Sequence, residues 1–161
     1  MRHKVPQDEI LASNANLNLW KLLDHTGFVI SRSRERELVE FGISPEQAYV
    51  LDILRQSAGR TTIGNIVNIT KRQHHTISTL IKRMKEKGLV DKKNAPGDNR
   101  TYYILITDKG RQLAGGITAK SIEEIFSSLD DGQKSQLRAH LNNLLARVYD
   151  VLGMESIRPR I

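Results

Sequence analysis

The chain is 161 residues long, with 39% hydrophobic and 27% charged residues, which is typical of one globular domain. It contains no cysteine, which excludes disulfides, thiolate metal sites and thiol-based redox sensing. No segment approaches the ~20 consecutive apolar residues that a membrane-spanning helix needs, and the first residues lack the apolar core of a secretory signal. We therefore expect a cytoplasmic protein without a membrane partner.

The positive charge is concentrated in the middle of the chain. The formal net charge is +7. Residues 60–111 contain 12 basic and 4 acidic residues, a balance of +8, whereas the remainder contains 13 basic and 14 acidic residues, a balance of −1. A basic segment between nearly neutral flanks favours a surface that binds a polyanion. On charge alone, a solvated helix surface is the alternative.

A long first helix is predicted over about residues 17–41. Apolar residues recur there at spacings of three and four, and further apolar residues widen the stripe. A helix that is apolar on more than one face must be covered on more than one side. Gly42 supplies the stop signal. The apolar residues are Leu17, Leu19, Trp20, Leu22, Leu23, Val29, Ile30, Leu38 and Phe41.

Two shorter helices are predicted next. Ser44 and Gln47 form a capping box, and the proline that follows Ser44 suits the first helical position. This second helix extends to about Gln56. Either Thr61 or Thr62 is predicted to cap a short third helix.

A fourth helix and a β-hairpin complete the basic segment. The helix is predicted over residues 73–87 and ends at Gly88. Two strands follow at residues 89–93 and 102–106, the second rich in aromatic and β-branched residues, and the turn residues at 94–101 join them. The apolar spacing of the helix predicts a buried face of Ile77, Leu80, Ile81 and Met84.

Two further helices are predicted at the end of the chain. Thr107 caps one over residues 108–127, and Asp130 or Asp131 caps another that extends to Leu152. The predicted fold class is mainly α with a small β-hairpin wing, in which the third and fourth helices and the hairpin form a winged helix-turn-helix. This unit coincides with the basic segment, and the coincidence favours nucleic-acid binding.

Three segments carry a recognisable pattern: TISTLIKRMKEKGLV at residues 76–90, DNR at residues 98–100 and ITDKG at residues 106–110. In this order and at this spacing, the chain resembles the MarR (multiple-antibiotic-resistance regulator) family of winged-helix transcription factors between about residues 63 and 110. Residues 72–75, Arg-Gln-His-His, depart from the usual family pattern, which affects base readout rather than the fold.

The resemblance implies a symmetric homodimer in which the first helix and the last two helices form a shared dimerisation base. The excess apolar surface on the first and last helices agrees with this, although the same surfaces could close on each other within a monomer. The expected domains are an N-terminal arm and long first helix for dimerisation (residues 1–43), a winged helix-turn-helix that binds DNA (44–110), and C-terminal dimerisation helices (111–161).

The fourth helix is expected to lie in a DNA major groove. Gln can pair bidentately with adenine, and Ser, Thr and His can contact bases or phosphates, whereas Lys and Arg are interpreted as phosphate contacts that position without specifying. For each charged residue, simple solvation is the alternative. The predicted DNA-binding residues of this region are Lys71, Arg72, Gln73, His74, Thr76, Ser78, Thr79, Lys82 and Arg83.

The hairpin loop is expected to contact the neighbouring minor groove. Arg100 follows Asp98 and Asn99 at the tip, where its guanidinium could sense groove width. Asp98 is expected to hold that guanidinium through a bidentate pair, the alternative being a surface ion pair of small energetic value. Lys92 and Lys93 at the base of the hairpin would flank the phosphate backbone.

These features, with the resemblance, imply a sequence-specific transcriptional regulator of double-stranded DNA, and most simply a repressor. Its dimer would bind a pseudo-palindromic operator of roughly 16–20 base pairs, given half-sites about 10 base pairs apart. The alternatives are a winged-helix adaptor for protein–protein contacts and a nonspecific DNA-binding protein. Phosphate loops, nucleophile motifs and paired catalytic carboxylates are missing from the sequence, so neither an enzyme nor a cofactor is expected.

A small-molecule effector is also implied by the resemblance, bound between the dimerisation helices and the DNA-binding lobe. Trp20, His25, Phe28 and Tyr49 are the candidates by position, and core packing is the alternative for the three aromatic residues. A metal site is not predicted from the five histidines, because the two adjacent ones point in different directions on a helix and the others are far apart in sequence.

Overall fold

The structure is a computed structural model that describes the backbone of residues 7–95 and 98–154 and the side chains of residues 14–94 and 102–154. Seven helices and three strands occur in this part of the chain, and they confirm the predicted class of a mainly helical fold with a small wing. In order they are α1 (Gln7–Val39), α2 (Pro45–Gln56), β1 (Arg60–Thr62), α3 (Ile63–Thr70), α4 (His74–Glu86), β2 (Val90–Ala95), β3 (Asp98–Ile106), α5 (Asp108–Gly116), α6 (Lys120–Phe126) and α7 (Asp131–Leu152).

The ends of α1 and α2 follow local signals. The first helix begins at Gln7 rather than near residue 17, because the preceding segment is compatible with a helix but lacks the apolar period used to predict one. Gly42 after α1 has a φ of +66°, a conformation that suits glycine. The predicted capping box is confirmed: Gln47 N donates to Ser44 Oγ at 3.3 Å, and Ser44 N donates to Gln47 Oε1 at 3.2 Å.

The strands form one antiparallel sheet in the order β1-β3-β2. The predicted hairpin of β2 and β3 is confirmed, with Lys92 opposite Ile104, although β3 begins at Asp98 rather than at residue 102. The strand β1 was not predicted. It spans three residues and pairs Thr61 with Ile104. A strand this short depends on its pairing with a segment distant in the sequence, so local periodicity could not predict it.

The predicted single helix over residues 108–127 is wrong, because the chain divides there into α5 and α6. Gly115 and Gly116 end α5, where glycine is a poor helix former. The carboxylate of Glu37 in α1 then accepts hydrogen bonds from Lys120 N at 2.9 Å and Ser121 N at 3.3 Å. A side chain from another helix therefore caps α6, and no local sequence pattern could show it.

The core lies between α2, α3, α4 and the sheet. The apolar face predicted for α4 is largely confirmed, since Ile77, Ile81 and Met84 are buried and Leu80 is half-buried. At Gly110 a Cβ atom would lie 2.2 Å from the carbonyl oxygen of Leu89, so α5 packs on the start of the wing only because glycine occupies this position. The largest fully buried side chains are Leu38, Val50, Leu51, Leu54, Ile66, Ile77, Met84, Leu89, Val90 and Ile104.

Helices α1 and α7 carry most of the exposed large apolar residues, eight in α1 and seven in α7. Trp20 is 58% exposed, Phe28 64% and Val151 71%. Exposed apolar residues in this number on two helices are typical of an interaction surface. Among the described residues, no helix combines the length and apolarity required to cross a membrane.

Candidate nucleic-acid interface

The predicted contact residues of α4 lie opposite its buried face. Ile77, Ile81 and Met84 point into the core, which leaves the polar and basic side chains of the helix and its preceding turn at the surface. Ser78 is half-buried, as is Lys71 in the turn. The exposed members of the predicted set are Arg72, Gln73, His74, Thr76, Thr79, Lys82 and Arg83.

The N-terminal turn of α4 has no side-chain cap at Gln73. The amide of Gln73 is therefore not used in capping and projects from an exposed position. One turn further along the helix, Ser78 Oγ lies 3.4 Å from His74 Nδ1. This pair presents hydrogen-bonding groups on the same exposed face, where base edges would have to be read.

Two residues of the preceding turn have partners within the chain. Lys71 Nζ lies 5.4 Å from the centroid of the Tyr149 ring in α7. Arg72 Nη2 lies 4.0 Å from Glu46 Oε1, with both side chains more than half exposed. An ion pair at that distance and exposure contributes little stability, so Arg72 can exchange Glu46 for a phosphate at small cost.

The base of the wing is basic and is fixed to α4. Lys92 Nζ stacks 3.8 Å from the centroid of Tyr102. Lys85 Nζ in α4 lies 3.0 Å from Asp91 Oδ1 in β2, and this hydrogen bond, followed by one from Lys92 N, lowers the pKa of Asp91. The Lys85–Asp91 pair and Tyr102 were missed in the sequence, because their contacts join different elements.

The predicted tip contact lies outside the described side chains. The backbone of β3 includes Asp98, Asn99 and Arg100, but their side chains are not among those described. The Asp98–Arg100 pair therefore stays a prediction.

A second feature is a cavity of about 400 Å³ that is lined by residues of α1, α2 and α5 and by Ile117. Of the four effector candidates, Tyr49 lines it, whereas Trp20, His25 and Phe28 lie on exposed α1 surface. Burial, with smaller contributions from the charge of Asp52 and from Tyr149, raises the pKa of Tyr49. The cavity is lined by Arg34, Pro45, Ala48, Tyr49, Asp52, Arg55, Ala114 and Ile117.

Beside this cavity, Glu37 receives a dense set of hydrogen bonds. Arg34 Nη1 donates to Glu37 Oε2 at 2.7 Å and also to the carbonyl oxygen of Thr118. Thr118 Oγ1, Ser121 Oγ and two backbone amides donate to the same carboxylate. Desolvation opposes ionisation, but the hydrogen bonds from Ser121, Thr118 and Arg34 together outweigh it and lower the pKa of Glu37 from 4.5 to about 2.

No cluster of three or more His, Cys, Asp or Glu side chains suited to a metal ion occurs within the described part of the chain. The histidines of the α4 turn are placed for hydrogen bonding instead: His74 contacts Ser78, and His75 Nε2 lies 3.4 Å from Thr76 Oγ1.

The arrangement of α2, α3, α4 and the three-stranded sheet defines a winged helix-turn-helix protein. A family model described as the MarR family matches residues 41–101. The matched segment begins just before α2 and ends within β3, so the helix-turn-helix and wing of this chain are similar to those of the MarR family of transcriptional regulators.

The chain is also similar to named transcriptional regulators. The transcriptional regulator PecS of Dickeya dadantii is 25% identical over 131 residues, covering 78% of this chain and 76% of PecS. The transcriptional repressor IacR of Pseudomonas putida is 29% identical over 114 residues, covering 69% and 68%. A mutant MarR from E. coli, solved in complex with operator DNA, matches the fold with a TM-score of 0.76 at 19% identity, covering 82% of this chain and 96% of that one.

Proposed function

We propose that this regulator is a homodimeric repressor that binds a pseudo-palindromic operator. The observation that carries the proposal is α4, which buries Ile77, Ile81 and Met84 and leaves a polar and basic face uncovered. A helix of this kind can enter a major groove without loss of core packing. Repression would follow when the bound dimer blocks the polymerase at a promoter, and IacR carries the name of a repressor.

Along α4 and the turn before it, we assign base readout and positioning to different side chains. Gln73, His74, Thr76, Ser78 and Thr79 supply hydrogen-bond donors and acceptors near the start of the helix, where base edges are read. Arg72, Lys82 and Arg83 supply charge to the flanking phosphates, which fixes the position of the helix but carries no sequence information.

The wing would extend the interface beyond the major groove. Lys92 and Lys93 are exposed at its base, where they can neutralise phosphates. Arg100, preceded by Asp98 and Asn99, would enter the minor groove, and the Lys85–Asp91 pair would hold the wing in a fixed position relative to α4. Binding should therefore weaken steeply with added salt, because each neutralised phosphate releases counterions.

Dimerisation is proposed from the exposed apolar faces of α1 and α7. In α7 only Tyr149 is buried among 22 residues, so its apolar stripe has little contact with the rest of the described chain. A second copy that pairs α1 and α7 with their equivalents would bury this surface, and apolar burial drives association. Residues 44–110 would then form the DNA-binding lobe, with 1–43 and 111–161 forming the dimer base.

An effector is proposed for the cavity between α1, α2 and α5. Arg55 and Asp52 lie on its wall together with Arg34, which is paired with Glu37, and Pro45 and Ala48 supply apolar surface. This lining suits a small organic anion with an apolar body. Aromatic carboxylates should raise the midpoint temperature of thermal unfolding of the wild type but not of an Arg55→Gln variant, and the corresponding amides should have less effect. If the amides raise the midpoint as much as the carboxylates do, the proposal of an anionic effector is wrong.

Selection of genomic DNA fragments by the purified protein at about physiological salt tests the operator proposal. We expect a shared palindromic site with half-sites ~10 base pairs apart. A collection of fragments without a common site, released by modest added salt, would show a nonspecific basic patch. The adaptor alternative would be favoured if no fragment is retained at all.

A further inference from the structure

The long helix α7 contacts the helix-turn-helix through one buried side chain. Tyr149 is 8% exposed and is the one buried residue of α7 among the described residues. Its neighbours on the helix, Val148 and Val151, are 47% and 71% exposed. Tyr149 therefore faces the chain's own DNA-binding lobe, while the apolar residues beside it remain open for a second copy.

On the side of the DNA-binding lobe, Tyr149 meets the turn that starts the recognition helix. Lys71 Nζ lies 5.4 Å from the centroid of the Tyr149 ring, within the range of a cation–π attraction. Lys71 ends α3 in a left-handed conformation, with φ 54° and ψ 20°, and its N–H donates to Val67 O at 2.8 Å. Only two residues separate Lys71 from His74, so its position controls where α4 begins.

Tyr149 also influences Tyr49 of α2 electrostatically. Tyr149 is one of the groups that raise the pKa of the Tyr49 phenol, after burial and Asp52. The geometric contact of Tyr149 with the lobe is the one to Lys71 in the α3–α4 turn.

We propose that Tyr149 is a positioning residue that, through Lys71, sets the distance between the two recognition helices and so the half-site spacing that the dimer accepts. The inference depends on the proposed dimer and operator. If α7 pairs with its equivalent in a second copy, the Tyr149–Lys71 contact couples the position of α4 to that of α7. Without the contact each α4 could still bind a half-site, but the distance between the two α4 helices would no longer be fixed.

This assignment gives Lys71 a role different from the phosphate contact predicted from the sequence, and the two roles can be separated. Removal of a phosphate contact lowers the slope of log affinity against log salt by about one and weakens all sequences alike. Removal of a positioning contact leaves the salt slope unchanged and alters the preference for spacing.

The experiment measures affinity by fluorescence anisotropy for the full-length protein on its selected operator and on duplexes with one base pair added or removed between the half-sites. The variants are Tyr149→Leu and Lys71→Gln, which remove the ring and the charge, and Tyr149→Phe and Lys71→Arg, which retain them. Light scattering reports whether each variant remains dimeric. A single half-site duplex reports whether each α4 still binds.

The wild type should prefer the native spacing by about tenfold or more, a factor within the reach of cation–π energies. Tyr149→Leu and Lys71→Gln should reduce this preference to within about threefold, and Tyr149→Leu should leave the half-site affinity, dimer mass and salt slope unchanged. The retaining variants Tyr149→Phe and Lys71→Arg should behave like the wild type.

The proposal is overturned if Tyr149→Leu and Lys71→Gln keep the wild-type spacing preference. A Lys71→Gln variant with a lower salt slope and unchanged spacing preference would instead identify a phosphate contact. If Tyr149→Leu fails to fold or dimerise, Lys71→Gln and Lys71→Arg still decide the question. A wild type that binds no operator would overturn the operator proposal on which this inference depends. A wild type that binds its operator but has no spacing preference would overturn this inference alone.

Discussion

At the residue scale, the anchor at Glu37 shows how one carboxylate organises two helices. Its side chain is 11% exposed and accepts hydrogen bonds from Arg34 on its own helix and from Thr118, Lys120 and Ser121 at the start of α6. Hydrogen bonds to a charged group are stronger than neutral ones. We therefore expect Glu37 to be a main determinant of the position of α6.

A Glu37→Gln substitution should lower the free energy of unfolding by about 1–3 kcal/mol, because several donors lose their charged acceptor. Urea unfolding followed by circular dichroism measures this difference. Glu35→Gln is the matched control, since among the described side chains Glu35 pairs with Arg32 alone, at 3.4 Å and with both side chains more than half exposed. An equal loss in both variants would contradict the anchor role.

The same anchor predicts a pH dependence. The pKa of Glu37 is lowered from 4.5 to about 2, so the folded state favours the ionised form. Its stabilising contribution is fully present above pH 4.5 and is lost as the pH falls towards 2. The difference in unfolding free energy between wild type and Glu37→Gln should therefore shrink across this window, and a difference that is constant from pH 6 to pH 3 would exclude the assignment.

Lys82 offers a residue-scale test of the DNA face. A Lys82→Ala substitution should weaken binding to operator and unrelated DNA by similar factors and should reduce the salt slope by about one, as expected when one phosphate contact is removed. Lys134→Ala removes the same charge in α7, outside the helix-turn-helix and the wing, and should leave the slope unchanged. Titrations at several salt concentrations distinguish the two, and an unchanged slope in Lys82→Ala would place Lys82 outside the interface.

At the scale of elements, the wing and α5 are held together by close packing at Gly110. A Gly110→Ala substitution should destabilise the protein by about 1–3 kcal/mol, the usual cost of overpacking, because the new Cβ would meet the Leu89 carbonyl oxygen at 2.2 Å. Gly115→Ala, in the same helix and with nothing within 4 Å of its Cβ, should be neutral or slightly stabilising. Equal effects in thermal unfolding would contradict the close approach.

The elements also show how far the sequence alone could predict this fold. Local chemistry predicted the Ser44–Gln47 capping box, the buried face of α4 and the hairpin, because each signal lies within a few residues. The division between α5 and α6 and the strand β1 were missed, since they depend on Glu37 and Ile104 from distant parts of the chain. The residues of α4 were predictable as a polar face, whereas the contact between Lys71 and Tyr149 required the tertiary structure.

At the scale of the whole molecule, the exposed apolar faces of α1 and α7 predict an obligatory partner. A Leu144→Glu substitution places a charge on the apolar stripe of α7, where the side chain is 52% exposed in the single chain. Burial of an unpaired carboxylate in an interface is strongly unfavourable, so the variant should be monomeric by light scattering. Gln136→Glu adds the same charge at a polar position of the helix, and this variant should remain dimeric. If both variants are monomeric, the added charge disrupts the dimer wherever it is placed on α7, and the apolar stripe is not shown to be the interface.

The most direct test of the account is the affinity of the dimer for its selected operator compared with a duplex in which one half-site is scrambled. If two α4 helices read two half-sites, the scrambled duplex should bind more weakly by a factor of about 100 or more, since the loss of several base contacts costs ~1–3 kcal/mol each. The stoichiometry on the intact operator should be two chains per duplex. Equal affinity for both duplexes would contradict sequence-specific recognition by a dimer.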